Sequence, residues 1–501
     1  MDFLDPHKSK LRNIQLFTGY ILVGILILLA TTILLYQAYG FGLDKNGNII
    51  QNGLVFVSSA PSSANIYING TQKATTNARV ILPAGQYILQ IKKTGYKTWQ
   101  RAFNLQGGTV SHFDYPLLVP QKLITKNLAS YPSAPALSLQ SPDRSWLLVT
   151  QPSSTLSFDE YNLNKIKTPP LTDTIPASVV DPSLGSNPTV QLVQWSTDNQ
   201  YIILKLSSGT NDEFVLFDRQ TPSDSVDLSS TFNVNPTTIE FINNVYNQFY
   251  IYDFTQQTLS TASLVSTTPK VILNDVLAFK SYGSSLILYV TADKSPVGDA
   301  TIKLLDGTTN YTIQNTPLSP QYLLEFAKYS GNWYFIVGSS NDGKLYIYEN
   351  PEQDLQSQPS LPLVPIEILH INQPNYVAFS TDTRFIMAEN GNNFAVFDNE
   401  LDKAYSYTLP VPLDAPQTHA TWMDGARITF VGNGKVVMVD YDSANLQSLE
   451  PAVQDQIPFF DRNYTFIYVI APNTAPNQTP ASSTDYLTTT SLLINPPQNS
   501  Q

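Results

Sequence analysis

Among the side chains that carry chemistry, this sequence is rich in carboxylates, poor in imidazoles and without thiols. Its 501 residues hold 40 Asp and Glu, four His (His7, His112, His370, His419) and no Cys. Without thiols there is no disulfide, thiolate zinc site, iron–sulfur ligation or cysteine nucleophile. No two histidines stand three or four residues apart, the spacing that puts two imidazoles on one helical face, so neither a His-based metal centre nor a catalytic dyad is expected. Asp44-Lys45-Asn46-Gly47-Asn48 starts like a calcium loop, but Ile49 replaces the turn Gly and Val55 stands where the bidentate Glu belongs, so it reads as a plain turn. Ser196-Thr197-Asp198-Asn199-Gln200 opens a Ser-x-Asp-x-Gly-x-x-Trp box but lacks its Gly and Trp, and there is no Gly-x-Ser-x-Gly nucleophile elbow. Asp143, Asp198, Asp382 and Asp424 remain as a candidate acidic cluster. Whether they can act together depends on the elements that carry them.

Those elements are strands. Hydrophobic residues make up 42% of the chain, aromatics 11% and charged residues only 14%, with 35 Pro punctuating short runs rich in Val, Ile, Tyr, Phe and Thr. The expected class is all-β. After residue 135 one pattern recurs every ~38 to 55 residues, a period typical of propeller blades: a β-run, a polar turn with Asp or Asn, a second β-run, then an aliphatic or aromatic run. The clearest copies are VQWSTDNQYIILKL with EFVLFDRQ, YVAFSTDTRFIMAE with FAVFDNE, and ATWMDGARITFVG with KVVMVDYD; Ser141-Pro142-Asp143 opens another, and weaker copies centre on Asn243, Tyr282, Gly331 and Arg462. Each of the four Asp then sits in the turn of its own repeat. They should be spread around a ring and spent on side chain to backbone turn bonds. Trp195, Trp333 and Trp422 fall at equivalent strand positions and are expected in the core between repeats. Eight turns suggest eight blades; seven stays open, because 472–484 is a Pro/Thr/Asn-rich insertion and DYLTTTSLLIN would then complete the first blade.

Residues 16–38 form 23 nearly unbroken apolar positions with no charge between Arg12 and Asp44. At ~1.5 Å per residue such a helix spans a ~30 Å hydrocarbon core. Lys8, Lys10 and Arg12 precede it and Lys45 alone follows closely, which places the N-terminus in the cytoplasm and the bulk outside. The run is too long for a signal h-region and lacks a small-x-small cleavage site, so a retained anchor in the lipid bilayer is expected. A dozen or so cytoplasmic residues count against a receptor with its own intracellular output domain. Charge also divides the chain, with a balance of +8 over residues 1–130 and −20 over 131–501. This balance argues against nucleic acid as the partner of the acidic part.

Between residues 54 and 118 six short alternating runs are separated by Asn69-Gly70, Pro83-Ala84-Gly85 and Thr94-Gly95, the pattern of a small β-sandwich. The blocks Ala60-Pro61-Ser62-Ser63-Ala64, Ile66-Tyr67-Ile68-Asn69-Gly70, Leu82-Pro83-Ala84-Gly85 and Lys93-Thr94-Gly95-Tyr96-Lys97-Thr98-Trp99 resemble the PEGA domain family, with Ser62 and Ser63 in place of its Glu and Gly. The resemblance implies a surface-associated prokaryotic sandwich without catalytic residues. Its basic excess, from Lys73, Arg79, Lys92, Lys93, Lys97 and Arg101 against Asp114, marks either an attraction to anionic envelope polymer or lipid, or a solvated strand face. Gly95, Tyr96 and Trp99 could shelve a ligand, although a turn with core aromatics is the simpler reading. The Ser-Thr-Asp and Ser-Pro-Asp turns resemble the WD-repeat-like propellers of periplasmic translocation proteins.

The expected order is a tail (1–15), a transmembrane helix (16–38), a juxtamembrane linker (39–52), a PEGA sandwich (53–118), a linker (119–135), a 7- or 8-bladed propeller (136–495) with eight preferred, and a tail (496–501). The expected function is non-enzymatic: a membrane-anchored extracytoplasmic binding or scaffold protein of a prokaryotic envelope, whose propeller meets a protein, glycan or cell-wall partner. No cofactor, metal or catalytic residue is expected. A divergent propeller hydrolase or lyase acting on polysaccharide is the alternative. Segments 165–188 and 350–365, Pro-rich and polar, are the first candidates for binding loops, and an acidic surface favours a cationic or neutral partner.

Overall fold

A computed structural model describes residues 6–38, 40–43, 49–357, 362–415, 418–472 and 484–495. The calcium-like run 44–48, both tails' ends and nearly all of the 472–484 insertion lie outside the described residues. The chain divides into two units, Met1–Lys122 and Leu123–Gln501.

The first unit opens with helix α1, Pro6–Ala38; within it Asn13–Tyr36 has a mean hydropathy of 2.4 and is long and apolar enough to cross a membrane. Within the expected linker 39–52, the described residues Phe41–Leu43 and those from Ile49 onward are instead strands of the sandwich. Phe41–Leu43 pairs antiparallel with Ile49–Val57, because Phe41, Ile49 and Ile50 are strand formers that extend the sheet. Ala78–Pro83 and the parallel strand Val110–Phe113 flank Ile49–Val57, and a second sheet orders Thr71–Thr75, Asn65–Ile68, Gly85–Lys92 and Trp99–Leu105. Eight strands thus stand where six were expected. Val55, Val57, Ile66, Ile68, Leu89, Ile91, Trp99 and Phe113 interdigitate between the sheets as one apolar core.

Among its described residues the second unit has eight four-stranded antiparallel sheets. Their leading strands are Ser138–Gln140, Thr189–Trp195, Thr238–Phe241, Val276–Tyr282, Tyr322–Tyr329, Tyr376–Phe379, Thr421–Trp422 and Phe459–Phe460. The second strand of each sheet is buried on both faces, which is why runs such as Ile202-Ile203-Leu204 and Phe335-Ile336-Val337 read as continuously apolar rather than alternating. Neighbouring sheets share cores in sequence order, the first with the second around Phe158 and Phe217, the fourth with the fifth around Leu288 and Phe335, the fifth with the sixth around Ile336 and Ile386. The eighth lies against the first: Gln140 Nε2 donates to the Phe460 carbonyl at 2.8 Å, and Leu147 and Tyr468 share a core.

Three expectations need correction. The linker 119–135 contains a strand, Ile124–Tyr131, which pairs with Asp485–Ser491 as the outer strand of the eighth sheet. Asp485–Ser491, for its part, pairs with Phe466–Pro472 and so belongs to the last sheet, not the first. Finally, Trp195 and Trp422 end leading strands, whereas Trp333 opens a second strand, Asn332–Ser339, so the three are not equivalent. Only Trp195 is fully buried.

Candidate functional site

The four Asp are consumed by their own turns. Ser141 Oγ donates to Asp143 at 2.7 Å and accepts from Trp146 N–H at 3.0 Å, while Asp143 accepts from Ser145 N–H at 3.0 Å. Ser380 repeats this with Asp382 (2.6 Å) and Phe385 N–H (3.0 Å), and Ser196 with Asp198 and Tyr201 N–H. The residue after each Asp is left-handed, with φ of 61° at Arg144, 60° at Asn199 and 62° at Thr383, a conformation the Asp bridge holds in place. Asp424 accepts from Ala426 and Arg427 N–H at 2.8 and 2.9 Å. Burial would raise the Asp143 carboxyl, but the Ser141 and Ser145 hydroxyls, with Arg462 at 2.9 Å, outweigh it and hold the group below the usual carboxylate range. These carboxylates build turns; the structure does not bring them together as a site.

A different set of charges meets on the wall formed where leading strands run side by side. Thr189–Trp195 runs beside Thr238–Phe241, and Val276–Tyr282 beside Tyr322–Tyr329, which in turn runs beside Tyr376–Phe379. Glu240 from the third sheet, Lys280 from the fourth and Glu325 from the fifth face one another there. Lys280 Nζ lies 2.5 Å from Glu325 Oε1, with the two side chains 42% and 23% exposed. Burial pushes both Glu240 and Glu325 up, against the pull of Lys280. Burial would lower Lys280, but Glu325 and then Glu240 hold it above its usual value. Further along the wall Tyr376 stacks on His419 at 4.2 Å, and His419 Nδ1 lies 2.9 Å from Glu389, a carboxyl raised by burial and also bonded by Ala420 N–H at 3.1 Å.

Glu240 and Lys280 line a cavity of about 520 Å³ together with Gln194, Asn243, Asn244 and Tyr282. Gln194 is fixed at both ends, donating to Asn244 Oδ1 at 2.6 Å and accepting from Phe241 N–H at 2.7 Å. Tyr282 is 51% exposed, its ring edge-on to Trp333 at 4.8 Å. Such a site can offer a carboxylate acceptor, an ammonium donor and an aromatic surface without moving a backbone atom.

A second cavity of about 520 Å³ is lined by Asp181, Asp212, Glu213 and Asp227 with Ser229 and Ser230. Segment 165–188 contributes Asp181 through the short turn Pro182–Leu184, which Asp181 caps by accepting from Ser183 N–H at 2.7 Å. Both Glu213 oxygens accept from Asp181 N–H, at 3.2 and 3.0 Å, and burial pushes the Glu213 carboxyl up to about 7, with Asp227 adding to the rise. Much of 165–188 is nonetheless scaffold, since Leu171–Thr174 is the fourth strand of the first sheet and Ile175 and Leu184 are buried. Segment 350–365 contains a helix, Pro351–Ser357, seated by buried Leu355. Both segments were expected to be too polar for the core, and each instead anchors itself through an aliphatic side chain.

In the sandwich, Tyr96 and Trp99 are core and Gly95 forms the turn, its carbonyl accepting from Gln121 N–H at 2.8 Å; no ligand shelf exists there. Lys93 Nζ donates to the Ser62 carbonyl at 2.6 Å, and Lys92 lies 4.7 Å over the Tyr67 ring. Lys73 and Arg79 are exposed on different sheets.

Residues 52–119 match the PEGA domain family. Among solved structures, Hsv2 from Kluyveromyces lactis is similar to this chain at 10% identity, covering 72% of this chain and 98% of its own with a TM-score of 0.37. The β-propeller domain of Cps50 (Swd1) from Myceliophteria thermophila is similar at 10% identity, with 74% and 98% covered and a TM-score of 0.36. An uncharacterized protein from Listeria monocytogenes EGD-e is similar at 14% identity, with 67% and 93% covered and a TM-score of 0.38. No curated protein matches.

Proposed function

We propose that this chain is a membrane-anchored, extracytoplasmic binding or scaffold protein of a prokaryotic envelope, in which α1 is the anchor, the PEGA sandwich a spacer and the eight sheets the blades of one closed propeller. The eight-blade reading is supported by the strand Ile124–Tyr131 completing the eighth sheet and by that sheet's packing on the first. The observation that carries the binding role is Glu240: a carboxylate with its charge disfavoured by burial, without a hydrogen-bond partner among the described residues, lining a cavity of about 520 Å³ beside Lys280 and Tyr282. A ligand that donates a hydrogen bond to this half-buried carboxylate gains a bond to a charged group, the stronger kind. The Asp-turn carboxylates, bonded to their own backbone, are not available for catalysis.

The test combines topology and capture. Protease added to intact cells should remove an epitope placed after residue 495, and the full chain purified from native envelope should retain a partner that Tyr282→Arg releases. A protected epitope sinks the orientation; equal retention by the variant moves the site elsewhere. One observation favours the hydrolase or lyase reading, namely that Glu240 and Glu325, both raised by burial, share the wall. Turnover of a chromogenic glycoside that Glu240→Gln abolishes would replace binding with catalysis.

A further inference from the structure

We infer that the Glu240 cavity is a saccharide site, taking an uncharged sugar unit whose hydroxyls bridge Glu240 and Lys280 while its C–H face lies on Tyr282. This rests on the binding role proposed for the same cavity and adds the class of ligand.

The wall excludes charged ligands on both sides. An incoming cation meets Lys280, whose ammonium already occupies the place beside Glu325 at 2.5 Å. An incoming anion meets the Glu240 carboxylate and a Lys280 ammonium already paired with Glu325. The unmet demand is for neutral groups that both donate and accept. Glu240 has no hydrogen-bond partner among the described residues, and Glu325 takes one of the three N–H donors of Lys280. Adjacent sugar hydroxyls meet such a pair, one donating to the carboxylate and the next accepting from the ammonium, and bonds to charged groups are the stronger kind.

Rigidity points the same way. Gln194 and Asn244 hold each other at 2.6 Å, and Gln194 is further bonded by the Phe241 amide, so the polar rim is set before a ligand arrives. Tyr282 is braced by Trp333 at 4.8 Å and by Phe326 at 6.0 Å, yet half its surface is bare. A braced, exposed aromatic ring beside fixed polar groups suits a ligand with one apolar face and a polar edge. The volume of about 520 Å³ falls in the ~300–1,000 Å³ range of small-molecule clefts.

The experiment uses the full chain in lipid nanodiscs, because sugar-headed detergents would compete. Glucose, galactose, mannose, rhamnose, N-acetylglucosamine and N-acetylgalactosamine, with the β1-4 dimers of glucose and N-acetylglucosamine, are titrated by calorimetry and saturation-transfer NMR. At least one should bind saturably, weakened about tenfold or more by Glu240→Gln and by Tyr282→Ala and kept by Tyr282→Phe. Its affinity should not change as salt rises from about 50 to 500 mM, as befits an uncharged ligand. Glu240→Gln is near-isosteric and Tyr282 is exposed, and melting curves check that each variant is folded. The inference is overturned if no sugar binds up to ~20 mM, or if binding survives both Glu240→Gln and Tyr282→Ala. If no sugar binds while Tyr282→Arg still releases an envelope protein, the binding role stands and the saccharide class alone is wrong.

Discussion

The sandwich and the eight-sheet unit are both all-β, but they treat charge in opposite ways. Thr76 is the one buried polar side chain of the described sandwich, and its core is otherwise aliphatic and aromatic. The eight-sheet unit buries Glu160, Glu213, Asp218, Arg219, Glu389, Asp398, Asp424, Arg427 and Glu450, many of them at seams between sheets. A two-layer sandwich closes its core with apolar residues alone. Stacked sheets leave seams where strand ends and turns bring polar groups inward, and each such group needs a partner. The polar chemistry of this protein therefore lies in the large unit, and its sensitivity to mutation and pH should lie there too.

The largest expected difference concerns Glu160 and Arg219, paired at 2.5 Å between the first and second sheets, with the guanidinium also 4.1 Å over Trp146. Removing one partner strands a buried charge, so Glu160→Ala should destabilise the large unit by about 3–5 kcal/mol. In calorimetry of the full chain its transition should fall while that of the sandwich stays put. If both transitions move together, the two units unfold as one and the comparison fails.

A second contrast is in pH. Glu450 is 2% exposed, Thr488 and Thr490 donate to its Oε2, and its Oε1 has no hydrogen-bond partner. Burial pushes its carboxyl from the usual 4.5 up to about 7, with the Thr490, Thr488 and Thr125 hydroxyls opposing. A raised value means that folding favours the protonated form, so this contribution is fully present below about pH 4.5 and is lost as pH rises through 7. The loss amounts to about 3 kcal/mol. Melting of the large unit should fall between pH 5 and pH 8, Glu450→Gln should flatten that slope, and the sandwich should melt alike at both. A slope unchanged in Glu450→Gln would assign the pH response to other carboxyls.

Smaller effects probe the sandwich. Lys93→Met removes the bond to the Ser62 carbonyl and should cost about 1 kcal/mol in the sandwich alone. Lys73→Ala with Arg79→Ala, both exposed, should change stability by less than ~0.5 kcal/mol and leave binding to vesicles with anionic lipid unaltered. Reduced vesicle binding would turn a solvated basic face into a docking surface.

Much of this was legible where the physics is local. The Ser-x-Asp turns bond within five residues, so their spacing alone predicted both the turns and the loss of those Asp as a site. The weaker repeats at Asn243, Gly331 and Arg462 likewise fall on turns between first and second strands, and Tyr282 ends the first strand just before such a turn. The strand Ile124–Tyr131 was illegible, since its sequence, ITKNLASY, is mostly exposed and lacks apolar alternation, and its pairing partner is over 350 residues away. Glu240, Lys280 and Glu325 were missed because they stand 40 and 45 residues apart, in three of the repeats whose turns lack the Ser-x-Asp signature. A signal was present in the charged residue that each places in an otherwise apolar leading strand, had those strands been set in register.

The pairing of Ile124–Tyr131 with Asp485–Ser491 also sets an order of events during synthesis. Thr125 and Thr490, joined hydroxyl to hydroxyl at 2.7 Å, are 365 residues apart. At ~5–20 residues per second, the first strand waits on the order of tens of seconds before its partner exists. A waiting edge of β-branched apolar residues would be a template for mispairing with other chains. Ile124–Tyr131 presents Thr, Lys, Asn and Ser instead, with its first four residues exposed even after pairing. The polarity that hid this strand from sequence reading is what lets the nascent chain carry it unpaired without sticking.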